Sequence, residues 1–254
     1  VINTVITNCN YVENMFYSVG GSGGGLHIKQ SETIDLKSCK YIQNKAGFYA
    51  GGKGAGLMIT GHDLSLAIKI SVRKLNCTFI GNNGETKRGA GAYMINVINT
   101  VLINCQYIWN RVNEDTDGFR YGGGLYITQS ESISKSEKIV LFNCKFIQNF
   151  AGDIGGGLYM NTNIKYVSIM DCTFMGNKAT ASVNRRYTTG AGVYMLNVGK
   201  LLITNTTYIY NSARHIGGGL HLLNIKYVSV INCIFTGNRA QKSGAGVEMF
   251  NVVI

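Results

Sequence analysis

The sequence predicts an all-β fold, a parallel β-helix (β-solenoid) of about eight coils. Three observations support this prediction. An aromatic-x-x-Asn tetrapeptide occurs eight times, each copy begins two residues after a Cys or a Thr, and a Gly-x-Gly block follows every copy. A repeat this regular defines the architecture before any local pattern is interpreted.

The repeat length favours short strands over helices. The Cys or Thr positions are 30, 38, 28, 39, 28, 34 and 27 residues apart, so the minimal unit has about 27 residues and the excess forms loops. We find no amphipathic 3.6-residue period, whereas apolar residues alternate with period two, as at Val167 and Ile169. Three short strands per unit form one coil, in which each strand pairs with its equivalent one coil away.

Composition agrees with a solenoid. The 254 residues are 45% hydrophobic, and there is no proline that would remove a backbone donor from a strand paired on both edges. No apolar run approaches about 18 residues, so no membrane span is expected. Residues 1–254 are treated as one β-helix segment. Because both ends fall inside a repeat, we expect it to belong to a longer chain.

Charge favours an acidic partner in general terms. The net charge is +11 and the pI is about 9.3. Nucleic acid is not favoured, because the basic residues are scattered and no recognition helix or base-stacking motif is present. Neighbouring protein chains or acidic glycans fit such a surface better.

The tetrapeptides resemble those of a known repeat family. FIGN at Phe79, FIQN at Phe146, FMGN at Phe174 and FTGN at Phe235 are similar to the FxxN repeats of the polymorphic outer-membrane proteins, and the other four copies have Tyr. The glycine blocks read GGGL or GAG[LVA], where that family has GGA[ILV]. The resemblance implies a single-stranded right-handed parallel β-helix, an adhesin-like role and a location at the cell surface.

Three repeated positions are expected to form ladders inside the helix. The cysteines stack as small hydrophobic residues, because each stands alone in its unit and Thr206 replaces the eighth. The aromatic residues two positions later lie on the same face. The asparagines that end the tetrapeptides are expected to occupy left-handed turns and to bond to the next copy. The cysteine and asparagine ladders comprise Cys9, Cys39, Cys77, Cys105, Cys144, Cys172 and Cys233, with Asn14, Asn44, Asn82, Asn110, Asn149, Asn177, Asn211 and Asn238.

Two rows are expected to point outward. The residue after each aromatic forms an apolar row, here called the contact stripe, which a neighbouring molecule or a loop should cover. Its members are Val12, Ile42, Ile80, Ile108, Ile147, Met175 and Ile209, with Thr236 in the last copy. The second row lies in the glycine strands. It consists of His27, Tyr93, Tyr126, Tyr159, Tyr194 and His221.

Insertions interrupt the coils at two places and carry many of the charges. Those between the asparagine and the glycine block should emerge along one edge and could form a binding face. They are long at 15–22, 45–53, 111–121 and 178–189 and short at 150–154, 212–216 and 239–243, while 60–70 and 128–138 follow the glycine strand.

Catalysis is not expected, although parallel β-helices are common among polysaccharide lyases and hydrolases. Such enzymes group carboxylates on one face as an acid/base pair or a Ca²⁺ site, and the 13 acidic residues collect at no repeated position. The best cluster, Glu114, Asp115 and Asp117, is a weak metal candidate, so neither a metal nor a cofactor is predicted. The glycine blocks precede strands and not helices, which excludes a phosphate-cradling loop.

The sequence therefore predicts a structural or adhesive β-solenoid of a large extracellular or cell-surface protein that acts through lateral and loop contacts. Two alternatives stay open: a carbohydrate-active enzyme of β-helix fold, and an intracellular filament scaffold.

Overall fold

A computed structural model describes residues 3–16, 23–47, 53–61, 71–84, 88–112, 120–129, 138–180 and 188–252. The strands within these ranges number 28, are paired in parallel and make up three sheets. The prediction of an all-β parallel β-helix is confirmed.

The strands are numbered in chain order. Sheet 1 has thirteen: β1 Asn3–Thr7, β4 Leu26–Lys29, β5 Thr33–Lys37, β8 Leu57–Thr60, β9 Ser71–Leu75, β12 Ala92–Ile95, β13 Asn99–Ile103, β16 Leu125–Thr128, β17 Lys138–Phe142, β20 Leu158–Met170, β23 Val193–Thr204, β26 Leu220–Ile231 and β28 Val247–Val252.

Sheets 2 and 3 are built from shorter strands. Sheet 2 has eight: β2 Asn10–Val12, β6 Lys40–Ile42, β10 Thr78–Ile80, β14 Gln106–Ile108, β18 Lys145–Ile147, β21 Thr173–Met175, β24 Thr207–Ile209 and β27 Ile234–Thr236. Sheet 3 has seven: β3 Met15–Phe16, β7 Lys45–Ala46, β11 Asn83–Gly84, β15 Arg111–Val112, β19 Phe150–Ala151, β22 Lys178–Ala179 and β25 Ser212–Ala213.

Equivalent strands of successive coils pair in register, apart from one shift between Asn161 and Ile164 where β20 pairs with β23. In sheet 2, for example, Phe79 pairs with Tyr41 on one side and Tyr107 on the other. The eight strands of this sheet are therefore separated by seven complete turns of the chain. Every residue type repeated at a fixed offset in the sequence becomes a row running along the axis.

Two details of the coil differ from the sequence prediction. The stretches after the asparagines were expected to be loops, yet all but the last begin with a two-residue strand of sheet 3, such as β19 in the stretch 150–154, and the last, 239–243, begins with a single bridge residue, Arg239. The expected three strands are found in the units that begin with β20 and β23, whereas the four units before them, which begin with β4, β8, β12 and β16, have four, because sheet 1 contributes two separate strands to each of those. In the units of β20, β23 and β26 no long insertion separates the glycine strand from the strand before the cysteine position, so the two merge into 12 or 13 residues.

The turns between the sheets depend on left-handed residues that the sequence analysis assigned wrongly. The tetrapeptide asparagines do not have positive φ; the residue before each one does, as at Gln148 with φ 51°. A second left-handed residue precedes each cysteine position, as at Asn143 with φ 49°. Asparagine and glycine tolerate this region best, and several copies use them there.

The core fills the interior of the coils. Inward side chains from sheets 1 and 2 form one continuous cluster along the axis, from Ile28 near the first coils to Val228 near the last. Alternation with period two places their neighbours on the outer surface, where any contact with another molecule must occur.

Candidate functional site

The thiol row lies inside the helix. Cys39, Cys77, Cys105, Cys144 and Cys172 are buried, whereas Cys9 and Cys233 in the end coils are half-buried, and all seven are free thiols. A hydrogen bond with the thiol of Cys144, together with burial, raises the pKa of Cys105 to about 12. Such thiols stay protonated at neutral pH and are poor nucleophiles and metal ligands.

Buried asparagines form the second interior row, and they bond to one another. Asn149 Nδ2 donates to Asn177 Oδ1 at 3.0 Å and to the carbonyl of Tyr107 at 2.8 Å. Its Oδ1 accepts from the backbone N–H and the Nδ2 of Asn110 at 3.1 and 3.0 Å. The same pattern recurs from Asn14 to Asn238, so each side chain between these two ends joins its own coil to both neighbours.

The tetrapeptide aromatics stack face to face. Successive ring centroids from Tyr11 to Phe235 are separated by 4.7–5.1 Å, with interplanar angles of 8° or less. The spacing is that of the coils themselves. These three rows are structural, and between the two end coils their thiols and rings are buried.

The tyrosine row of the glycine strands is not exposed, contrary to the expectation for an outward row. Tyr93, Tyr126, Tyr159 and Tyr194 form a second buried cluster with Met58, and Tyr121 and Ile154 pack against it. His221 is also buried, and desolvation lowers its pKa to about 4. This row therefore supports the fold and offers little contact surface.

The contact stripe does face outward. Val12 is 48% exposed and Met175 is 36% exposed, while the members between them are half-buried, since each rests on its equivalents in adjacent coils. Two larger side chains, Trp109 and Tyr210, stand beside the stripe at left-handed positions and are 60% and 66% exposed. The indole N–H of Trp109 donates to Gln148 Oε1. Contact of this stripe with another molecule stays a prediction.

Sequence reasoning missed a surface on sheet 1. An open groove of about 890 Å³ is lined by residues 163–166, 197–200, 224 and 226–229, and a hollow of about 500 Å³ continues it. We call the two together the Lys–Tyr groove. Its exposed side chains include Lys138, Lys165, Lys200 and Lys226, with Tyr166 and Tyr227. No acidic residue is among the described residues that line it.

A signal for this groove exists in the sequence. Residues six positions before the Cys or Thr form one outward row, which reads Lys138, Tyr166, Lys200 and Tyr227 over four successive coils. The strand register confirms that these residues are direct neighbours. Aligning the repeats on the cysteine position, and examining every offset, would have shown the alternation.

The weak metal candidates cannot be placed. Glu114, Asp115 and Asp117 lie outside the described residues, as do most of the long insertions. Within the described residues, no group of three or more His, Cys, Asp or Glu is arranged to hold a metal ion. These residues also contain no helix that is long and apolar enough to cross a membrane.

Comparison with known proteins gives a distant relative. Over 229 residues, 80% of this chain, the sequence is 24% identical to the probable outer membrane protein PmpG of Chlamydia muridarum (strain MoPn / Nigg). The chain spans 21% of the length of that relative. No family model matches the chain, and no solved structure gives a significant match. The expected resemblance thus rests on this relative and on the repeat motifs, without a family model.

Proposed function

We propose that this chain is part of a cell-surface protein in which it forms a rigid, non-catalytic rod that presents contact surfaces. One observation carries the proposal: the stretch similar to a probable outer membrane protein covers most of the chain, and the described part of it folds into stacked coils whose strands pair in parallel from coil to coil. The relative supports the location, and the ladders support the mechanical role.

Rigidity follows from the interior rows. Each coil is joined to the next by backbone bonds, by asparagine side chains and by stacked rings, so bending the rod would disturb all of them at once. A stiff scaffold holds outer side chains at fixed spacings, which suits adhesion through many weak contacts along one line. The contact stripe and the Lys–Tyr groove are two such lines.

A catalytic role finds less support. The buried rows contain apolar side chains, protonated thiols and amides that are already hydrogen-bonded. In the described residues no outer row has a carboxylate at a repeated position. Polysaccharide hydrolysis by the usual mechanisms requires a pair of carboxylates. We therefore propose binding without turnover.

Location is tested on intact cells of the organism that makes the protein. Antibodies against the folded rod should bind, and an added protease should remove the epitope, without permeabilisation; a periplasmic or cytosolic marker protein serves as the control. Signal only after permeabilisation would refute the surface proposal and favour the filament scaffold.

Catalysis is tested separately with the full-length protein and polyuronides or other acidic polysaccharides. We expect no chain shortening over long incubation. Cleavage that is lost in Asp115→Asn or Asp117→Asn would establish the enzyme alternative instead.

A further inference from the structure

We propose that the Lys–Tyr groove binds a linear acidic polysaccharide, whose sugars carry carboxylates and whose chain lies along the axis of the rod. This inference rests on the proposed surface function and deepens it by naming the class of partner. It concerns binding only: hydrolysis of a glycosidic bond by the usual mechanism uses a pair of carboxylates, and none is among the described residues that line the groove.

Lysines provide the charge complementarity. Lys138, Lys165, Lys200 and Lys226 stand on four successive coils, and all four are exposed. The Lys37–Asp35 ion pair lies elsewhere on the sheet, and no carboxylate is among the described residues that line the groove. Free ammonium groups in a concave surface attract anions and leave their own charge available for pairing.

The spacing of these lysines suits a sugar chain. Neighbouring strands of a sheet are about 4.8 Å apart, so each coil offers one lysine, and Lys165 and Lys226 are displaced by one residue along the strand from the row that contains Lys138 and Lys200. A pyranose in an extended polysaccharide occupies a similar length. Successive carboxylates of a polyuronate can therefore reach successive lysines without any change in the rod.

Tyrosines supply the second element of recognition. Tyr166 and Tyr227 are 53% and 49% exposed and stand two coils apart, with Lys200 between them in register. An exposed aromatic ring offers a flat apolar face, against which the C–H face of a sugar can pack. The ammonium of Lys226 lies 5.4 Å from the ring of Tyr227, so charge and ring can contact the same sugar.

Asparagines along the groove can bond to hydroxyl groups. Asn163, Asn197 and Asn224 are among its lining residues, and Asn224 Nδ2 donates to Asn197 Oδ1 at 3.3 Å. An amide row of this kind has donors and acceptors left over for sugar hydroxyls. Single-stranded nucleic acid also favours basic grooves with aromatic rings, but it stacks consecutive bases, and here the rings occupy alternate coils.

The test is calorimetric titration of the protein with oligogalacturonates of increasing length, with hyaluronan oligosaccharides, and with neutral dextran. We expect the two acidic glycans to bind and dextran not to bind. Affinity for galacturonate should rise until the chain spans about four coils and then level off. It should fall as salt is added, because exposed charges are screened.

Matched variants locate the site. The double variant Lys138→Gln/Lys200→Gln should lose about tenfold or more in affinity, whereas Lys40→Gln/Lys145→Gln, which removes two exposed lysines from sheet 2, should change it little. Tyr227→Ser should weaken binding and Tyr210→Ser should not. All of these side chains are exposed, and equal melting temperatures would verify that the variants fold.

Three results would overturn the inference: no binding of either acidic glycan, equal losses in the sheet 2 controls, or tighter binding of single-stranded DNA of matched charge. None of these results bears on surface location, which the intact-cell experiment decides by itself. A failure of the inference and a failure of the proposed function are therefore distinguishable.

Discussion

A lysine side chain lies inside the helix where equivalent positions carry leucine. Lys74 pairs in register with Leu36 and Leu102, and it is fully buried. Its ammonium has no hydrogen-bond partner and lies 4.9 Å from the centroid of the Phe79 ring, a cation–π contact. Desolvation lowers the pKa of Lys74 to about 8, against the partial opposition of the nearby thiols, chiefly that of Cys105.

Replacing Lys74 by methionine should stabilise the protein at pH 7. The pKa of this group is about 8 when folded and 10.5 ordinarily, so the unfolded chain binds more protons between these values. The free energy of unfolding of the wild type must then rise with pH across this window. Below the window it is lowered by the full cost of the buried charge. A difference of 2.5 pKa units corresponds to about 3 kcal/mol. Chemical denaturation of both proteins measures it.

The pH dependence separates charge from packing. Between pH 8 and 10.5 the advantage of Lys74→Met should shrink, since the lysine of the wild type becomes neutral. Thiols and phenols far from Lys74 also titrate in alkali, but they are common to both proteins and cancel in the difference. An advantage that stayed constant with pH would show that the ammonium is not the cause.

Aromatic stacking gives the second prediction for a single residue. Phe146 lies between Tyr107 and Phe174, with ring centroids 4.7 Å away on each side. Phe146→Ala leaves a cavity in the core and should lower the free energy of unfolding by about 3–5 kcal/mol. Thr206→Cys is the control, because it restores the residue of the other seven copies at a buried position. A Phe146→Ala variant as stable as this control would contradict the assignment of the rings to the core.

At the scale of the coil, the asparagine row differs from an ordinary set of turn residues. Asn149→Ala would remove the acceptor of the backbone N–H and the Nδ2 of Asn110. It would also remove the donor to Asn177 Oδ1 and to the carbonyl of Tyr107, and all of these groups are buried. Unpaired buried groups cost about 1–3 kcal/mol each, so we expect a loss of about 3 kcal/mol or more.

Asn14→Ala is the matched control for Asn149→Ala. It removes the same side chain at the end of the row, where the residue is exposed and bonds to a single neighbouring coil through Asn44. The loss should be about 1 kcal/mol. Equal losses at the two positions, measured by denaturation, would show that the row does not act as a connected ladder.

The sequence sufficed for the fold because one offset from the cysteine position defines each row. Phe146 could be placed inside from period two and its distance from Cys144. The inward position of Asn149 could not be predicted in this way, because the chain bends between Phe146 and Asn149 and the bend interrupts period two. The left-handed residue of that bend is Gln148. Period two also says which face a residue is on, but not what covers that face. Tyr126 is outward from the coil and still buried, because Tyr121 and Tyr159 pack around it.

The candidate surfaces were predicted less completely for a related reason. The contact stripe was visible because one apolar residue type recurs in most copies. The alternation of Lys138 with Tyr166 changes residue type at every coil and becomes a pattern only when the strand register is known. Lys74 was hidden in the same way among leucines and isoleucines.

At the scale of the whole molecule, the rod has faces of different chemistry at fixed positions around its axis. Sheet 2 carries the apolar contact stripe, and sheet 1 carries the basic groove over its later coils. Both repeat once per coil, and a second copy of the rod would repeat with the same period. Side-by-side packing of two stripes can therefore match side chain to side chain along the whole length, which favours lateral association.

We expect Ile80→Lys/Ile108→Lys to abolish lateral association of the full-length protein, measured by sedimentation over a range of concentrations. Both side chains belong to the stripe, and burying either in a contact would be worth about 1.5–3 kcal/mol, so charges there should weaken association by tenfold or more. The control is Thr78→Lys/Gln106→Lys, which adds the same charge to the same two strands, β10 and β14, at outward positions beside the stripe. If general repulsion from the higher net charge were the cause, association of both variants would weaken equally. That outcome would contradict the role of the stripe, and so would a wild type that stays monomeric at every concentration.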